Sequence, residues 1–84
     1  EYTYLGFAEA VDERGYAQIT QRNKFSVGET IEIMKPDGQN VSIVVKGIYD
    51  EEGNPMESAP HAQQKLFIDL GTEIQVYDLL RRAE

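Results

Sequence analysis

The chain has 84 residues and a mass of 9.5 kDa, short of the ~100–150 residues where domain sizes peak, so residues 1–84 are expected to form a single small domain with a thin core and little room for a deep catalytic cleft. Fifteen Asp and Glu against eight Lys and Arg leave a net charge of −7, which opposes broad, non-specific binding to nucleic acid or to anionic membranes. Zero Cys excludes a disulfide framework, thiolate chemistry and Cys-ligated zinc, and 40% hydrophobic residues weigh against disorder.

A two-residue alternation interrupted by turn residues dominates the chain. From Tyr2 to Val11, Leu5, Phe7 and Val11 fall on one face, with Tyr2, Tyr4, Ala8 and Ala10 on the other. Asp12-Glu13-Arg14-Gly15 supplies a tight turn, and Tyr16 to Arg22 returns as a second, more polar strand of an antiparallel hairpin. A connector, Asn23 to Glu29, carries Phe25 and Val27 to plug one end of the core.

Thr30-Ile31-Glu32-Ile33-Met34 alternates cleanly with both isoleucines inward. In the turn Lys35-Pro36-Asp37-Gly38, Pro36 presets φ at the first central position and Gly38 accepts the left-handed exit. Asn40 to Gly47 reads as the returning strand. Residues Asp50 to Gln64 hold Gly53, Pro55 and Pro60, which forbid a regular helix or a central strand and indicate a packed loop anchored by Met56 and Ala59. Lys65 to Leu70 is a fifth strand, and Ile74 to Leu80 a sixth element, either a strand or a single helical turn.

An open sheet of this size would leave two unpaired edges and an uncovered face. The expected fold is therefore all-β, a small six-stranded antiparallel β-barrel or strongly curled sheet. Its expected core is Leu5, Phe7, Val11, Ile19, Phe25, Val27, Ile31, Ile33, Val41, Ile43, Val45, Ile48, Leu66, Ile68, Leu70 and Leu79.

Catalytic signatures are sparse. Ser58 lies three residues from the lone His61, without an oxyanion-hole motif or a third orienting residue. Asp50-Glu51-Glu52-Gly53-Asn54 resembles a calcium loop, but glycine comes fourth instead of sixth and His61 stands where a bidentate Glu belongs. No H-E-x-x-H, G-x-G-x-x-G or G-K-[ST] occurs. We expect no catalytic residues, no metal site and no cofactor, so the fragment is not expected to be an enzyme.

Binding is the better class. Arg22 with Lys24, and Arg81 with Arg82, form two basic pairs, and Tyr2, Tyr4, Tyr16 and Phe67 are candidates for outward-facing aromatics. Exposed aromatics beside Arg or Lys stack bases or rings, and the same residues also serve as cross-strand packing. The candidate macromolecule-binding set is Arg22, Lys24, Arg81, Arg82, Tyr2 and Tyr4.

The run Gln21-Arg22-Asn23-Lys24-Phe25-Ser26-Val27-Gly28-Glu29-Thr30-Ile31-Glu32-Ile33-Met34 resembles the C-terminal domain of family 32 of the unclassified (U-type) peptidases, the collagenase-like peptidases. The resemblance continues through Ile48 to Met56, Ser58 to Gln64 and Tyr77-Asp78-Leu79-Leu80-Arg81-Arg82, in order across nearly the whole chain. Ala62 departs from it, standing where the family often has proline. The resemblance implies a preceding N-terminal α/β catalytic domain that holds the catalytic apparatus, in proteins described as peptidases acting on collagen or similar to proteins that hydroxylate transfer or ribosomal RNA. The segment Phe25-x-Val27-Gly28-Glu29-x-Ile31-Glu32-Ile33 is also similar to the corner of the second-domain β-barrel of translation elongation factors, a likeness of fold alone.

The expectation is thus a non-catalytic C-terminal accessory domain of a larger, cytoplasmic protein. Its expected partners are the N-terminal catalytic domain of the same chain and a protein or RNA substrate, with no membrane. The alternatives are an RNA-contacting module of an RNA-hydroxylating enzyme and a purely structural cap.

Overall fold

The computed structural model describes all 84 residues, and every regular element is a strand. The strands are β1 (Tyr2–Phe7), β2 (Ala10–Val11), β3 (Ala17–Thr20), β4 (Thr30–Met34), β5 (Asn40–Val44), β6 (Gly47–Tyr49), β7 (Pro55–Met56), β8 (Lys65–Asp69) and β9 (Leu79–Ala83). They form two antiparallel sheets, ordered β1-β9-β4-β5 and β2-β3-β8-β6-β7.

The all-β expectation stands, but no closed barrel is found. Two of the six anticipated strands break in the middle and change sheets. The first leaves one sheet after Phe7 and enters the other at Ala10. Ala8 anchors the corner, donating its N–H to the Asp78 carbonyl (2.9 Å) and accepting from the Tyr77 N–H (2.8 Å). The second leaves β5 after Val44, turns at the buried Val45 and enters β6, with the Lys46 N–H donating to the Asp69 carbonyl (2.9 Å). Shared corners let two short sheets cover one another, so the core closes without a continuous cylinder of strands.

The turns behave as their chemistry requires. Asp12 Oδ1 accepts the N–H groups of Arg14 and Tyr16 (2.9 and 3.0 Å), and the Gly38 N–H donates to the Lys35 carbonyl (2.9 Å). Inside the long loop, Pro55 and Met56 pair with β6 as a two-residue edge strand, and Ser58 bridges Ser26. Ala59 is buried, and Met56 packs half-buried against the core. The last element starts later than its sequence pattern indicated. Residues 74–78 are irregular, and the strand begins at Leu79.

The core lies between the sheets and includes Leu5, Ile19, Phe25, Ile31, Ile33, Ile48, Leu66, Ile68 and Leu80, with the small Ala8 and Ala17 also buried. Six expected core residues are not fully buried. Leu80, not Leu79, is inward, and Leu79 is 39% exposed. The register of β1 shifts between Tyr4 and Gly6, a β-bulge that buries both Leu5 and Gly6 and carries Phe7 to the outer face opposite Leu79. Val41 is 37% exposed, because it sits on an edge strand. Val11, with Val27 and Ile43, is half-buried at the rim of the core.

Candidate interaction surfaces on the outer face

The bulge and the late start of β9 together build an apolar row on the outer face of the first sheet. Leu79 is the cross-strand neighbour of Phe7 on one side and of Met34 on the other. Tyr77 stacks on Phe7, with ring centroids 6.3 Å apart and planes 20° from parallel. With Lys35 and Pro36, these residues line an open groove of about 480 Å³. Tyr77 is 69% exposed and holds a positive φ of 77°, a left-handed conformation that an L-tyrosine adopts only when its surroundings impose it.

The Tyr77 N–H is held by the Ala8 carbonyl (2.8 Å), and the next residue is a buried acid. Asp78 is fully buried, and its Oδ2 accepts from Lys35 Nζ (2.5 Å) and from the Gln75 N–H (2.9 Å). Lys35 Nζ lies 3.4 Å from the Glu73 carbonyl, and the Asp78 N–H donates to the Gln75 carbonyl (3.1 Å). The 73–78 loop is thereby cinched under Tyr77. Asp78 Oδ1 has no protein partner.

The candidate basic and aromatic residues are distributed around the opposite end of the β1–β9 pair. Arg81 and Arg82 point to opposite faces of β9. On the outer face, Arg81 Nε donates to Glu32 Oε1 (2.8 Å), and its guanidinium lies 3.5 Å from the centre of the Tyr2 ring. Arg82 donates to Glu29 Oε1 (3.1 Å), Glu84 Oε2 (3.0 Å) and the Lys24 carbonyl (3.0 Å). Hydrogen bonds donated to Glu84 and then to Glu29 raise the Arg82 pKa despite partial burial. Both arginines therefore carry their own counter-charges. Tyr4 is exposed beside Arg81 in the cross-strand register.

Arg22 and Lys24 differ. Both are exposed, and neither forms an ion pair. With Gln21, Asn23 and Ala59 to Ala62 they line a shallow cavity of about 210 Å³ that holds the single histidine, His61, and no carboxylate. Its frame is rigid. The Arg22 N–H donates to the Leu5 carbonyl (3.0 Å), the Asn23 amide to the Tyr4 carbonyl (2.7 Å) and the Gln21 amide to the His61 carbonyl (3.1 Å). Gln21 is buried, and its Oε1 has no protein partner. Of the other aromatics, Tyr16 stacks on Tyr49 (5.3 Å) under the Arg14 guanidinium, and Phe67 is half-buried between Gln18 and Tyr49 in the register.

The residues weighed for catalysis have structural partners. Ser58 lies in its bridge to Ser26, and the His61 N–H donates to Gln64 Oε1 (3.3 Å). In the acidic run, Asp50 Oδ1 accepts the N–H groups of Glu52 and Asn54 (2.9 and 2.8 Å), and the carboxylate closes a turn.

Residues 1–81 match the Peptidase family U32 C-terminal domain. The chain belongs to that family. A U32 C-terminal domain of Geobacillus thermoleovorans, from a protein classed as a U32 peptidase, superimposes with a TM-score of 0.84 at 28% identity, covering 98% of this chain and 93% of that one. Its selenomethionine variant gives a TM-score of 0.77 at 29% identity, covering 98% and 99%. The tRNA hydroxylation protein P1 of Bacillus subtilis (strain 168) is 27% identical over 84 residues, which cover 99% of this U32 domain and 20% of that protein. The domain thus spans about a fifth of the length of this curated relative.

The alternation pattern assigned Phe7 and Leu79 to the core and passed over Met34 and Tyr77. One signal was available for Phe7. A glycine inside a strand, Gly6, marks a bulge, and a bulge reverses which residues face out.

Proposed function

We propose that this U32 C-terminal domain is a non-catalytic accessory module that packs on the N-terminal catalytic domain of its own polypeptide and helps position a macromolecular substrate there. The observation that carries this reading is the outer-face row of Phe7, Leu79 and Met34 with Tyr77. A strained, two-thirds exposed tyrosine held over an apolar groove has the character of an interface anchor. The length of the Bacillus relative, of which the domain spans 20%, supports a large covalent neighbour as the occupant. The parent is then a cytoplasmic, collagenase-like hydrolase or an RNA-modifying enzyme. No helix is long and apolar enough to cross a membrane.

The test is reconstitution. The N-terminal region, expressed separately, should capture the domain, and Leu79→Lys should abolish capture without unfolding it. Capture unaffected by Leu79→Lys and by Tyr77→Gly would refute docking through this face.

A second reading, an RNA-contacting module, is favoured by the carboxylate-free cavity at Arg22, Lys24 and His61 and by the name of the Bacillus relative. It predicts transfer RNA binding at low salt that weakens steeply with salt and with Arg22→Glu and Lys24→Glu. Binding indifferent to both would remove it.

A further inference from the structure

Two sheets with open ends present four edge strands, and three of them are protected against pairing. β2 is two residues long. β7 is two residues long and begins with Pro55. β1 is bulged between Tyr4 and Gly6, and the 21–24 segment covers its outer side, because the Leu5 and Tyr4 carbonyls accept from the Arg22 N–H and the Asn23 amide. Shortness, proline, bulges and coverage are the devices by which edge strands avoid joining others.

The fourth edge has none of them. β5 is Asn40-Val41-Ser42-Ile43-Val44, five residues in unbroken register with β4 and unpaired on its other side. It contains no proline, no glycine and no charge, in a chain where 27% of residues are charged. Val41 and Val44, on its two faces, are both exposed.

We propose that β5 is a self-association edge at which two copies of this domain pair antiparallel about a two-fold axis at Ser42. The strand is its own complement. In this register Val41 of one copy meets Ile43 of the other, Asn40 meets Val44, and Ser42 meets Ser42. Two chains of net charge −7 then join through a neutral strip, so no like charges face each other across the ladder. The product is one continuous eight-stranded sheet, formed from two copies of the order β1-β9-β4-β5. A five-residue edge buries less than the ~1,200 Å² of standard interfaces, so the dimer is weak and concentration-dependent.

The test is sedimentation velocity from low micromolar to millimolar protein. The mass should double from 9.5 kDa as concentration rises. Ser42→Lys, which opposes two ammonium groups on the axis, should weaken the dimer by about tenfold or more. Mixing Ser42→Lys with Ser42→Asp should restore a heterodimer. In the wild type, exchange of the β5 amides directed away from β4 should slow as concentration rises. A monomer at every concentration would overturn the proposal, as would a dimer that Ser42→Lys leaves intact while Leu79→Lys abolishes it, since that dimer uses the apolar groove.

Discussion

Lys35, at the end of the β4 hairpin, places its ammonium 2.5 Å from the fully buried carboxylate of Asp78, 43 positions later in the chain. The pair ties the β4–β5 turn to the loop that presents Tyr77. Removing one partner of a buried pair leaves the other uncompensated, at a cost of about 3–5 kcal/mol. Lys35→Met should therefore destabilise the domain by about 3 kcal/mol in urea titration. Lys35→Met combined with Asp78→Leu should recover part of that loss. Equal stability of wild type and Lys35→Met would show that the contact contributes nothing.

Gly6 makes the bulge possible. It holds φ 144°, and a Cβ there would stand 3.0 Å from the Thr20 carbonyl oxygen and 3.4 Å from Ile19 Cδ1. Gly28 also has a positive φ, 92°, but a Cβ there meets nothing within 4 Å. Gly28→Ala should thus cost about 1 kcal/mol from backbone strain alone, and Gly6→Ala about 2 kcal/mol or more, because strain and a backbone clash add. Chemical denaturation of the two variants side by side decides the ordering.

Tyr77 separates stability from docking. Relieving its left-handed backbone with glycine returns roughly 1 kcal/mol, and losing the stack on Phe7 costs about 0.5–1.5 kcal/mol. Tyr77→Gly should leave the domain's stability within about 1 kcal/mol of wild type. Capture by the N-terminal region should fall at least ~10-fold, as read by titration calorimetry. A large loss of stability would mean that Tyr77 belongs to the fold and not to an interface.

Two turn carboxylates are held in their ionised form by the hydrogen bonds they accept. Asp50 is held below the ordinary aspartate range by the backbone N–H and side-chain amide of Asn54, then by the N–H groups of Glu52 and Gly53. Partial burial pushes Asp12 up, but hydrogen bonds from Arg14 and from the Tyr16 N–H outweigh it and leave the group lowered. A carboxyl with a folded pKa below its unfolded value of about 3.9 contributes stability at neutral pH that is lost as pH falls through the folded value. The melting temperature should therefore decline below about pH 4. Asp50→Asn, which keeps an acceptor but does not titrate, should flatten that decline. An unchanged acid limb in Asp50→Asn would assign the sensitivity to other groups.

Alternation made the strands legible, and Asp12-Glu13-Arg14-Gly15 and Lys35-Pro36-Asp37-Gly38 carried their turns openly, since turn chemistry is local. Phe7 and Leu79 were misassigned for one shared reason. With period two, a shift of a single residue exchanges the faces of every later side chain; Gly6 was the one local sign of such a shift, and nothing in Ile74 to Asp78 states where the last strand begins. Arg81 and Arg82 read as a basic pair because they are adjacent, but adjacency in a strand means opposite faces. Their partners, Glu32 and Glu29, are 49 and 53 positions away.

By itself the sequence determined an all-β domain, the places where its chain turns, and membership of a recognisable family, because alternation, turn residues and motifs act over a few neighbouring positions. Only the tertiary structure decided that two strands divide between sheets, that Phe7 and Leu79 face outward under Tyr77, that Asp78 is buried against Lys35, and that β5 alone keeps an open edge. Those outcomes depend on pairings between residues far apart in the chain, where the free energy belongs to the contact and not to either partner.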